Sequence, residues 1–437
     1  MIPMLLLIAL LSAAPANGDG DEGFIVSADA VEGREGPEGR VVELFGNVTI
    51  TRGDAVLSGT RGTVYEDSGL AVLTGDVRGT DGPATIASDS LRYYRDDELA
   101  ILTGNASYAD TSVTITSHRI DLHRLEEIAV FSGGVIARDA DGEAELAAGR
   151  LVYDASRGEA RAYDDPVLTT YDEEGEVDAV LRGVVIEMAA ESEIVRAFGA
   201  TRIETRDVSA RSGVVTLLGE EEMIILDGDP SVRQESDRLS GGRIIVRTDE
   251  GAIERVDVTG GARADYRIEP EEPGGDFETG YVAGDSLTMY FRGGDPVRTF
   301  VAGGAESEHT IGASGELNRL TSRTIDVRFS DGEIVRATFR GDARGSYAFV
   351  PESADEARSD TLELDNVAYA STTIDYYVPR NRIVLTGGAT VEYRSTELRA
   401  GRIEFDPEEE LMIASENPDL LEGGERLVGS RLGYDLT

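Results

Sequence analysis

Apolar and polar positions alternate with a period of two over most of this chain, the pattern of half-buried β-strands rather than helices. The alternation is clearest in a short phrase at Leu44–Ile50, L-F-G-N-V-T-I. It returns as L-T-G-D-V at Leu73–Val77, as L-T-G-N-A-S-Y at Leu102–Tyr108 and as F-S-G-G-V at Phe131–Val135. The glycines stand at 46, 75, 104 and 133, so a step of 29 residues recurs three times. A fixed step of this size marks a repeat architecture. Leu44, Val48 and Ile50 share one parity, as do Leu73 with Val77 and Phe131 with Val135, so each set shares a face. On this reading the glycine lies on the same inward face and lets the strand bend around a narrow core.

A second phrase follows each glycine phrase: a small residue, a turn residue, then apolar–x–aromatic or apolar. Examples are Ser88-Asp89-Ser90-Leu91-Arg92-Tyr93, Ala148-Gly149-Arg150-Leu151-Val152-Tyr153 and Ala400-Gly401-Arg402-Ile403-Glu404-Phe405. Each unit therefore holds at least two strands, separated by turn signals such as Asp67-Ser68-Gly69. The glycine phrase continues with drift at Asp164-Asp165, Gly199, Gly228, Gly260, Gly303, Gly341, Gly387 and Glu416-Asn417. The expectation is an all-β fold of about twelve repeats. Acidic, Pro- and Gly-rich insertions interrupt the array near 269–280 and 351–361, where a stacked repeat tolerates them. Phe24–Val31 reads as a first strand followed by a loop at Glu32–Arg40. Glu187–Arg196 has helix-favouring composition but falls where the repeat requires strand–turn–strand. The last phrase, Gly429–Tyr434, carries no polar cap, which is expected to leave strand edges open to a partner.

Charge and composition narrow the function. The formal net charge is −43 over 437 residues, which excludes a general nucleic-acid binder. So much acid reads first as a solvated surface that keeps β-rich molecules apart. The chain has no Cys, which removes disulfides and thiolate chemistry, and every basic residue is Arg. Met1–Ala14 is an apolar run too short to span a membrane. Small residues follow, so residues 1–18 read as a secretory signal peptide and 19–437 as the mature repeat array outside the cytoplasm.

The candidate inward residues are Leu44, Val48, Ile50, Leu73, Val77, Leu102, Phe131 and Val135 from the glycine phrases. The second strands add Ile86, Leu91, Tyr93, Ile120, Leu151 and Tyr153. Most such alternation is simple packing. His118 and His123 are five residues apart, so on a regular strand they face opposite ways and form no metal pair. The acidic runs Tyr171–Asp178 and Asp406–Glu410 lack the glycine–aspartate spacing of calcium-binding β-rolls and read as solvated loops. Arg52, Arg78 and Arg92 balance surface acid more readily than they meet lipid phosphate.

The glycine–valine phrase, such as Gly46-Asn47-Val48 with Gly53-Asp54 behind it, and the small–Gly–x–x–Ile–x–Tyr/Phe phrase resemble the OstA-like proteins. That family includes LptA, LptC and the N-terminal part of LptD. Asp165-Pro166-Val167 and Asp229-Pro230 resemble a variant of the same phrase, and the resemblance runs over nearly all of the mature chain. It implies an elongated, twisted β-jellyroll, or β-taco, of stacked antiparallel strands. It also implies a periplasmic bridge that carries lipopolysaccharide or a related glycolipid by its acyl chains toward the outer membrane. The inward residues above would line that groove. Partners would be other transport-bridge proteins or a second copy, joined edge to edge by β-augmentation, and an outer-membrane assembly partner. No cofactor, metal or catalytic residue is implied. Set against that family, the chain is expected to hold more repeats than a typical LptA and none of the barrel strands of LptD. The rival readings are a secreted structural or adhesive β-solenoid with a sealed core, and a polysaccharide-active enzyme on a β-helix, which would need carboxylates gathered in one cleft.

Overall fold

The computed structural model describes residues 25–36, 39–189, 192–249, 251–268, 277–311, 316–349, 365–380, 382–406 and 411–435. The stretch expected to be a signal peptide, the insertion at 351–361 and most of the insertion at 269–280 lie outside these residues, as do residues 407–410 of the second acidic run. The described residues divide into two compact units. One holds those up to Asp207 with Gly213–Glu221, and the other holds Val208–Ser212 with those from Glu222 onward.

The first unit is an antiparallel meander. Gly39–Arg52, Ala55–Tyr65, Leu70–Asp81, Ala84–Tyr94, Leu99–Ala109, Val113–His123, Ile128–Asp139 and Ala144–Asp154 each pair with the next. Ahead of them, Ile25–Ser27 and Ala30–Gly36 both pair with Gly39–Arg52. The loop expected at Glu32–Arg40 is instead the arm of a hairpin, with Glu32 opposite Glu43 and Gly36 opposite Gly39. Ala30–Gly36 is exposed along its whole length. A strand held only by its backbone ladder leaves no apolar alternation to read.

Each strand bends where the phrases fall. Phe45 faces Arg61 and Val48 faces Gly59, so Gly46 and Asn47 together oppose Thr60. This is a β-bulge, which kinks a strand and raises its twist. Gly46 and Asn47 have φ of 68° and 44°, and the same left-handed pair recurs at Gly75-Asp76, Gly104-Asn105 and Gly133-Gly134. Even the most degenerate phrases keep it: Asp164-Asp165 has φ of 61° and 60°, and Glu416-Asn417 has 64° and 58°. Residues before the bulge belong to one wall of the fold and residues after it to a second, facing wall. The glycines are consequently not inward. Gly75 and Gly133 are exposed at the outer corner, while Leu73 and Val77 on either side are buried. Alternation is interrupted by the bend, which parity counting across an unbroken strand does not register.

The second phrase builds the other half of the corner. Its small residue lies inside, and where that residue is serine the hydroxyl donates to the carbonyl two residues on. Ser88 reaches Ser90 at 3.0 Å, Ser117 reaches Arg119 at 3.1 Å and Ser371 reaches Thr373 at 2.7 Å. These inner polar groups are thus satisfied locally. At Asp164-Asp165-Pro166 the strand breaks in two. Glu159–Tyr163 and Val167–Tyr171 both lie on Ala144–Asp154, one in each wall. Val185–Ala189 and Ile194–Thr205 then pair around a turn, as the repeat required of Glu187–Arg196.

The second unit repeats the plan with longer strands. Ala252–Ile268, Glu278–Arg292, Asp295–Ile311, Glu316–Ser330, Glu333–Phe349, Asp365–Tyr377, Arg382–Tyr393 and Thr396–Asp406 form its meander. Leu411–Ser415 and Asp419–Glu422 divide the last of these between the two walls. Among the described residues the helical content is one 3-10 turn, Val378–Arg380. The fold is an antiparallel β-jellyroll, as expected.

Candidate hydrophobic groove

In the first unit the glycine-phrase bend sends Leu44, Leu73, Leu102 and Phe131 to one wall. Leu91, Tyr93, Ile120, Leu151 and Tyr153 join them from the second strands. The other wall holds Val48, Ile50, Val77, Ile86 and Val135. All are buried except Ile50 and Tyr93, which are half-buried. Leu102, Ile120, Val48 and Val77 are fully enclosed at 0% exposure. The predicted set is therefore brought together as one apolar interior.

Sequence reading missed several of its members. Ala106, Tyr108, Val113 and Ile115 line the second wall, and Ala100, Leu122 and Ala129 the first. Their signal was present as alternation, in Ala106-x-Tyr108 within the glycine phrase and in Val113-x-Ile115 beyond it. Counting by two from Gly104 and Gly133 along their own strands reaches Ala100, Ala106, Tyr108 and Ala129, but not Val113, Ile115 and Leu122, because burial in the second strands changes parity at the bend: Ile86 and Ser88 are buried, then Leu91. The second unit carries its own lining, which includes Ile244, Val258, Leu287, Val301, Ile325 and Ile374.

The electrostatics of the interior are simple. Among the described residues, the buried polar groups are serines and threonines with one charge, Asp326. Asp326 sits between inward Ile325 and Val327, so it belongs to the outer face. There Arg298 holds it at 3.0 and 2.8 Å and Arg328 at 3.2 Å. Tyr108 lies in the second wall with its hydroxyl donating to Asp110 at 2.7 Å. Burial, then that hydrogen bond, push its ionisation well above the ordinary tyrosine range, and the Tyr153 hydroxyl of the facing wall adds to the shift. Among the described residues, the buried lining is uncharged and predominantly apolar.

The other candidates resolve outward. Ser117 is buried, His118 and Arg119 are both exposed, and burial resumes at Ile120 and Leu122. The bulge thus brings His118 and His123 to the same outer side, contrary to the expectation from unbroken alternation. Among the described residues no group of three His, Asp or Glu is placed to hold a metal ion. In the first acidic run Asp172 caps a hairpin turn through the amides of Glu174 and Glu176 at 3.0 and 2.8 Å. Arg78 pairs with Asp76 at 3.2 Å on the exposed corner, and Arg92 is exposed.

Residues 26–128 and 63–252 match the family described as LptA/(LptD N-terminal domain) LPS transport protein. Among solved structures, the chain is similar to LptH of Pseudomonas aeruginosa, the LptA-homologous periplasmic component of the lipopolysaccharide transport device. The identity is 15%, the alignment covers 36% of this chain and 92% of that one, and the TM-score is 0.23. No curated protein sequence matches the chain.

Proposed function

The chain belongs to the LptA/LptD N-terminal family of lipopolysaccharide transport proteins, and from that premise we propose that it carries glycolipid acyl chains between its two walls. The observation that carries this reading is the lining itself: facing rows of Leu, Ile, Val and Phe, with the inner serines already satisfied by neighbouring carbonyls. Facing sheets stand about 10 Å apart, and a hydrocarbon chain fits that gap once the walls part. Each methylene moved from water to such a lining is worth about 0.8 kcal/mol, so a few acyl chains bind without polar contacts. The chain acts as a binding and conducting element in the periplasm, not as an enzyme. Neighbouring transport components or a second copy add to its sheets by strand pairing, and an outer-membrane partner receives the cargo.

One observation favours the rival reading of a sealed β-solenoid: the deepest residues have no solvent exposure, so the walls touch. Incubating the purified protein with radiolabelled lipopolysaccharide and separating free lipid by gel filtration distinguishes the two. Comigration of label with protein is expected. Absence of comigration at saturating lipid leaves the sealed core standing.

A further inference from the structure

The second wall of the second unit ends in an edge unlike the oily interior. Tyr266, Gly280, His309, Asn318, Tyr347, Val367 and Tyr393 stand directly opposite one another on successive strands. They share the inward face with buried Leu320, Tyr369 and Val391, two residues away on their own strands. One step further out lie Glu316 opposite Ile311 and Phe349 opposite Asp365.

Three of these rings form a platform. Tyr347 stacks on Phe349 with centroids 5.6 Å apart and planes 13° from parallel. Phe349 meets Tyr393 at 6.1 Å. All three are half-buried. Hydroxyls at this edge donate to carboxylate or amide oxygens: Tyr347 to Glu316 at 2.8 Å, Tyr393 to Asp365 at 2.8 Å and Tyr369 to Asn318 at 2.6 Å. Asp365 also accepts from Arg394. The Tyr393 hydroxyl and then Arg394 hold the Asp365 carboxyl below the ordinary carboxylate range, so it stays ionised. Further along, Tyr266 meets His309 Nδ1 at 3.1 Å and His309 Nε2 meets Glu278 at 3.1 Å. The opposite wall reaches the same edge. Burial and then the Glu278 charge raise Tyr376 of that wall. In the same wall the half-buried Phe291 and Phe329 continue the inward rows of Leu287 and Ile325.

Aromatic faces beside carboxylates suit one kind of group. A pyranose ring lays its C–H face on an aromatic ring and donates its hydroxyls to carboxylate oxygens, each carboxylate having about four acceptor positions. A phosphorylated or carboxylated head is disfavoured at the same place. Glu278, Glu316 and Asp365 repel it, within a chain of formal charge −43, and Arg394 at the platform is already engaged by Asp365. We propose that this edge is a saccharide-binding site that takes an uncharged pyranose ring of an amphiphile whose chains enter the adjacent slit. The proposal rests on the acyl-chain reading above.

The test uses the full chain and three probes: dodecyl maltoside and dodecyl phosphate, each below its micelle concentration, and free maltose. Binding is followed by tyrosine emission, since the chain has no tryptophan, and by calorimetry. Dodecyl maltoside is expected to bind about tenfold more tightly than dodecyl phosphate. Phe349→Ala and Glu316→Gln should each erase most of that preference: Phe349→Ala by weakening dodecyl maltoside with dodecyl phosphate affinity unchanged, Glu316→Gln by weakening dodecyl maltoside and, as a repelling charge is lost, tightening dodecyl phosphate. Glu316→Gln is nearly isosteric, so it keeps the test valid if the truncation perturbs the edge. Equal affinity for the two dodecyl probes, or a preference untouched by both substitutions, overturns the saccharide site and leaves the slit standing. If neither dodecyl probe binds, the slit reading itself fails and the site falls with it. Maltose binding as tightly as dodecyl maltoside, with the same sensitivity to Phe349→Ala, overturns the amphiphile as ligand.

Discussion

At the scale of single residues, the corners obey a rule of complementary size. A Cβ on Gly104 would stand 2.2 Å from the Asp89 carboxylate across the corner, and one on Gly75 would stand 2.7 Å from Thr60. Where the bulge position carries a side chain, the facing position is the glycine: Gly149 faces Asp164, and Gly401 faces Glu416. Gly149 and Gly401 donate their amides to those residues' carbonyls at 3.0 and 2.8 Å. Gly104→Ala should therefore destabilise the protein by about 1–2 kcal/mol from the left-handed φ alone, with the clash adding to it. Urea unfolding measures this. Gly104→Asp should be worse, and the exchanged pair Asp89→Gly with Gly104→Asp should recover much of the loss. A double-mutant cycle that came out additive would contradict the rule. The glycine period was legible in the sequence because only small or left-handed-tolerant residues recur there. The outward side of that glycine was not, since counting by two assumes a strand that does not bend.

At the scale of strands, the interior should respond as a packed core. Ile120→Ala, at a position with no exposure, is expected to cost about 2–5 kcal/mol in unfolding free energy. The outer face of the second unit carries a different support. Arg247, Arg255 and Thr288 converge on Asp257, which couples three neighbouring strands and the hairpin ends between them. Burial alone would raise the Asp257 carboxyl, but hydrogen bonds from Arg255, Thr288 and Arg247 outweigh it and leave the group below its ordinary value. A lowered folded value gives stability that is present above the unfolded carboxylate pKa and is lost as pH falls through the folded one. Asp257→Asn should flatten the acid limb of a plot of urea midpoint against pH. The alkaline limb has the opposite sign. Burial and the Glu278 charge raise Tyr266 from 10.0 to about 12, so its contribution is intact below 10.0 and disappears toward 12. Tyr266→Phe should remove its share of that dependence and so shallow the alkaline fall, read as unfolding midpoint against pH. Such ladders were not legible beforehand. They depend on which strands become neighbours, whereas the strands themselves follow from alternation that each sequence segment carries alone. The exposed hairpin arm Ala30–Gly36 marks the limit: its pairing is real and its side chains give no sign of it.

At the scale of the molecule, an acidic exterior surrounds an interior whose lining, among the described residues, buries no charge. Self-repulsion of the exterior predicts that moderate salt raises the urea midpoint, by screening charges within about 10 Å of one another at 0.1 M. A midpoint that fell with salt would show that the arginine–carboxylate pairs outweigh the repulsion. The family was legible because its phrases recur in series, each weak alone. The division into two units was not, because alternation and phrase run on through that region without a change of composition. The central claim is that hydrocarbon enters between the walls. It is tested most directly by placing a photo-crosslinking amino acid at Ile115, which is buried, and separately at its neighbour Thr116, which is exposed, then irradiating with radiolabelled lipopolysaccharide. Labelling at 115 and not at 116 is the predicted result. Labelling at 116 alone, or at neither position while both variants remain folded, would contradict it.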